Sequence, residues 1–105
     1  MAYTDEHIND CEFFLGKGYK EIHLYLDQYT EEFPIALYLD YHRTFLHNDY
    51  GLAIIGNVYK EEGYKAGLIH IFRDYMECPI QFLPKDIVLQ RARKAVMYYN
   101  NYTGG

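Results

Sequence analysis

Five histidines, His7, His23, His42, His47 and His70, are spread along a chain of 105 residues. Four of them can be set beside a carboxylate or on an apolar helix face, where a bare imidazole needs a partner. Neutral imidazole is the commonest protein ligand for zinc and other borderline metals, so several imidazoles gathered by folding make a metal site. His23 with Asp27, and His70 with Asp74, stand four residues apart. On a helix each pair shares a face, and the carboxylate either meets the same ion or orients the imidazole from behind. His42 and His47 are five residues apart, about 140° around a regular helix, so they share an ion only if the backbone departs from ideal geometry near Asn48 to Gly51. The expected metal ligands are His7, His23, Asp27, His42, His47 and His70, with zinc the first candidate. A hydrogen-bonded network of histidine, tyrosine and carboxylate without metal is the competing explanation.

The elements that must carry these side chains read as helices. Thr4 can cap a first helix over 5 to 15, with Asp5 and Glu6 favourable in its opening turn, Ile8, Cys11 and Leu15 as its apolar stripe, and Gly16 and Gly18 closing it. A second helix, about 19 to 29, aligns Tyr19, Ile22, Leu26 and Tyr29. Thr30 to Pro34 opens a third and longest helix, whose stripe of Ile35, Leu39, His42 and Leu46 points His42 at the core; it runs to about 58. Lys60 to Gly67 reads as a polar connection. Residues 67 to 76 fit a short strand or a helix, and helix is preferred because His70 and Asp74 then share a face. Pro84 starts a last helix with a stripe of Val88, Ala92, Ala95, Val96 and Tyr99, and 100 to 105 reads as a frayed tail. The expected fold is a mainly α, compact bundle of four or five helices forming a single domain over 1 to 105.

Composition narrows the function classes. Half of the residues are hydrophobic and 24% are charged, the balance of a globular protein. The net charge of -5 argues against direct nucleic-acid binding through a basic face. Apolar runs fall far short of the roughly 20 residues that span a bilayer, so no membrane association is expected. The acidic opening Met-Ala-Tyr-Thr-Asp-Glu lacks the regions of a signal peptide, which makes the cytoplasm the expected location. Cys11 and Cys78 have no C-x-x-C spacing. They read as small buried hydrophobes or, alternatively, as thiolate ligands, Cys11 being the better placed, one turn after His7. Thirteen tyrosines and no tryptophan suit either a small core or a protein interface.

The histidine positions also carry a likeness. His42-Arg43 through His47 with Gly51, His7 ahead of Gly16, Ile22-His23 with Asp27, and His70 with Asp74 ahead of Pro79 resemble an uncharacterised family of small bacterial and phage-associated proteins with an H-R-x-x-x-H segment. The likeness covers residues 7 to 90. This chain departs from it in its tyrosine content, in Asn48 where a second adjacent histidine is usual, and in a longer basic last helix. The resemblance implies a shared site without naming its chemistry. In type, a small acidic, tyrosine-rich domain with no catalytic motif is similar to phage-encoded anti-CRISPR inhibitors. The expected function is therefore a zinc-binding protein that meets the basic surface of a protein partner such as a CRISPR effector nuclease, in the host cytoplasm. The alternative is a metal-dependent hydrolase, with Asp27, Asp40, Asp74 or Glu77 serving the activated water.

Overall fold

A computed structural model describes residues 3–28 and 46–104. Among them are four helices and no strand, a mainly α bundle as expected. The segment expected to form most of the third helix, including His42, lies outside the described residues.

Helix α1 spans Thr4–Leu15. Its cap is Tyr3 rather than Thr4, and the Tyr3 N–H donates to Glu6 Oε1 at 2.9 Å. Gly16 ends it at φ 81°, a left-handed conformation that glycine adopts without steric cost. The buried face is His7, Asp10, Cys11 and Phe14, so it is rotated from the expected Ile8, Cys11 and Leu15 stripe. The reason is polar: inside the bundle His7 faces the Asp74 carboxylate and Asp10 is bonded to Arg73, and Ile8 and Leu15 are left half-buried. Helix α2, Lys20–Leu26, is shorter than expected. The Asp27 N–H still reaches His23 O at 3.1 Å, but its own φ of -103° has left the helix, which turns the Asp27 side chain back toward the bundle axis.

Helix α3, Asp49–Met76, replaces the expected 60–67 connection with a break at one residue. Lys60, at φ 65° and ψ -156°, separates two helical arms, 49–59 and 61–76. A straight helix would hold residues 52 and 67 about 22 Å apart. Instead, a Cβ on Gly67 would sit 2.7 Å from Leu52 Cδ2, so the arms fold back on each other as a hairpin. Gly63 permits the tight start of that return, since a Cβ there would overlap Tyr59. The second arm is buried on all sides from Ala66 to Asp74, and α3 touches each of the other three helices. The arm is thus the central post of the bundle.

Helix α4, Lys85–Gly104, buries the expected stripe of Val88, Ala92, Ala95, Val96 and Tyr99. It continues through the segment expected to fray. Asn100 explains part of this: its Nδ2 donates to Asp49 Oδ2 at 2.8 Å and its Oδ1 accepts from the Asp49 N–H at 3.0 Å, tying α4 to the start of α3.

A buried polar contact clamps α1 to α3. Arg73 Nη1 donates to both Asp10 oxygens at 3.0 and 2.8 Å, Nη2 donates to Glu6 Oε2 at 2.7 Å, and Gln81 also donates to Asp10. None of the described helices is long and apolar enough to cross a membrane.

Candidate metal centre

Four separate stretches of chain bring polar side chains to one point beside the central arm. His7 comes from the first turn of α1, and His23 and Asp27 come from α2 and its end. His47 comes from the bend before α3, while His70 and Asp74 share one face of the second arm. His47 does not lie within a helix continuous to 58, because Asn48 is extended (φ -146°, ψ -176°) and caps α3 by accepting the Gly51 N–H at 3.0 Å. A Cβ on Gly51 would overlap the Leu46 carbonyl, so this residue lets the bend close and aim His47 inward.

The geometry centres on two carboxylates. Asp74 Oδ2 lies 2.8 Å from His47 Nε2 and 3.4 Å from His70 Nε2, and its Oδ1 lies 3.2 Å from His7 Nε2. Asp27 Oδ1 is 3.2 Å from His70 Nε2 and 3.7 Å from His47 Nε2. Three imidazoles therefore present the same nitrogen, Nε2, to a pair of acids. On the far edge of His70, Nδ1 meets His23 Nδ1 at 2.9 Å, while His23 Nε2 meets the Gly18 carbonyl at 2.8 Å. The four histidines are fully buried, Asp74 is 2% exposed, and Asp27, at 22%, is where the cluster meets solvent.

Burial and charge pull the ionisation of this cluster in opposite directions. Burial holds the His7 and His47 imidazoles below their usual range, and it pushes His23 down to about 3, helped by the neighbouring His70 and His7. Burial alone would lower His70 too, but the charge and hydrogen bond of Asp27, and then Asp74, raise it to about 9. Burial opposes ionisation of Asp27, and the charge and hydrogen bond of His70 override it, bringing the carboxyl to about 2. Asp74 is likewise held well below its usual range by the imidazoles around it.

Of the expected ligands, His7, His23, Asp27, His47 and His70 come together, and His42 lies outside the described residues. Asp74, the carboxylate nearest most of the imidazoles, was not in the expected ligand set, although its i,i+4 spacing to His70 had marked it as a partner. Two overlapping groups have donor atoms within 4.8 Å of one another: His7, His23 and His70, and His7, Asp27, His70 and Asp74. Cys11 belongs to neither. Its thiol is buried, lies 3.8 Å from the Ala66 carbonyl and is pushed up to about 12 by burial, so it behaves as a small core residue. No protein-family model, curated protein or solved structure matches this chain.

Proposed function

We propose that this protein binds one divalent transition metal, with zinc the first candidate, between His7, His70, Asp27 and Asp74, with His47 alongside. The observation that carries the reading is His7. Its ring is fully buried, and neither nitrogen has a hydrogen-bond partner among the described residues, yet Nε2 stands 3.2 Å from a carboxylate oxygen. A buried polar atom left unpaired costs about 1–3 kcal/mol. Coordination of a cation beside Asp74 would use the Nε2 lone pair.

Charge selects between the two overlapping groups. An ion among His7, His23 and His70 would have nitrogen ligands alone and would leave Asp27 and Asp74 as neighbours rather than ligands, although they stand 3.2 Å from the Nε2 atoms of His70 and His7. Two carboxylates with neutral imidazoles match a divalent charge and give the mixed nitrogen and oxygen donors that zinc and its first-row neighbours accept.

The burial favours a structural ion over a hydrolytic one. A catalytic metal needs an open position and a path for substrate, whereas here only Asp27 is partly exposed. An ion at this point would join α1, the end of α2, the bend before α3 and the central arm, separate elements that packing alone must otherwise hold together. A nuclease-inhibitor role rests on likeness of type and on the surface, where exposed Tyr59 is followed by the exposed Glu61 and Glu62. Competition between the protein and a chromogenic chelator for Zn²⁺ tests the reading: tight binding lost in Asp74→Asn supports it, and equal binding by both chains overturns it.

A further inference from the structure

The two nitrogens of His23 are both engaged, and one of the contacts fixes the proton positions along a chain of three groups. The Gly18 carbonyl can only accept, so the His23 Nε2 at 2.8 Å carries the proton and donates. The His23 Nδ1 is then the bare nitrogen. It lies 2.9 Å from His70 Nδ1, so the hydrogen between them belongs to His70, and the ring centroids, 5.1 Å apart, fit rings that meet edge to edge through these nitrogens. His70 is thereby set with its Nδ1–H pointing away from the acids and its Nε2 toward Asp27 and Asp74.

Resting on the metal reading above, we propose that His23 is a positioning residue and not a ligand: it holds His70 in the tautomer and orientation that offer Nε2 to the ion. A histidine that binds a metal through one nitrogen donates its other N–H to a fixed acceptor, and such outer partners matter to affinity. The acceptor here is itself a histidine, locked by a backbone carbonyl. Gly18 itself lies close against α1, since a Cβ there would come within 2.7 Å of Ile8 Cγ2. The chain Gly18, His23, His70 thus links the α1–α2 turn to the metal position.

Two measurements test the assignment. In NMR of the nitrogen-labelled full chain loaded with Cd²⁺, cadmium couples to His70 Nε2 and to neither nitrogen of His23. Coupling to His23 overturns the proposal alone, whereas a chain that takes up no Cd²⁺ overturns the metal reading and this assignment with it. In parallel, His23→Leu weakens Cd²⁺ binding by about 10- to 100-fold. His23→Asn recovers most of that loss, because its Oδ1 falls near the position of Nδ1 and accepts the His70 N–H. An Asn variant as weak as the Leu variant, or a Leu variant as tight as the wild type, overturns the proposal.

Discussion

The imidazole of His7 lies face to face with that of His70, with 3.6 Å between ring centroids and 16° between planes. The first turn of α1 and the central arm of α3 therefore turn their Nε2 edges to the same carboxylate, Asp74, at 3.2 and 3.4 Å. The stack is thus both the join between two helices and the floor of the proposed metal position.

Asp74→Asn keeps the size of the side chain and one acceptor but removes the charge. It is expected to lower Zn²⁺ affinity by at least about 100-fold, as loss of a charged ligand exceeds the effect of an outer partner. Chelator competition measures it, and an unchanged affinity would place the ion elsewhere.

The clamp beside the site separates buried from exposed charge. Asp10→Ala removes the buried, two-oxygen partner of the Arg73 guanidinium, leaving it the half-exposed Glu6, and should cost up to about 3–5 kcal/mol in urea unfolding. Glu6→Ala removes a partner that is 40% exposed and should cost no more than about 1 kcal/mol. Equal costs for the two would contradict the assigned geometry.

Much of the fold was legible because helical periodicity, the closing Gly16 and the opening Pro84 are local signals. The fold-back at Lys60 was not, since a lysine at positive φ has no sequence signature. The polar residues after it stay helical, with Lys65 paired to Glu61 and Glu62 on one face. The buried face of α1 was misread for a related reason: apolar counting passes over His7 and Asp10, whose burial depends on Asp74 and Arg73 more than 60 residues away. The site residues were visible as histidines and i,i+4 acids. The centrality of Asp74 and the engagement of both His23 nitrogens emerge only once distant segments meet.

The stability of the metal-free chain should peak close to pH 6.5. His7, His23 and His47 stay neutral in the fold but protonate near 6.5 when unfolded, so the unfolded chain binds more protons as pH falls and stability drops below that value. Asp27 and Asp74 add to the loss once pH falls through 3.8. His70 acts oppositely: raised to about 9, it holds its proton in the fold between 6.5 and 9, and its contribution is lost as pH rises through that window. Urea midpoints of the chelator-treated protein from pH 4 to 9, about the span of these transitions, check the shape. A midpoint rising steadily to the alkaline end would contradict it.

The most direct measurement is the melting temperature of the chelator-treated chain before and after Zn²⁺ is returned. A ligand present at 100 times its dissociation constant adds about 2.7 kcal/mol, and for a domain of this size that corresponds to a rise of roughly 10 °C or more. The account predicts such a rise in the wild type and its absence in Asp74→Asn. A wild-type chain that melts at the same temperature with and without the ion would contradict it.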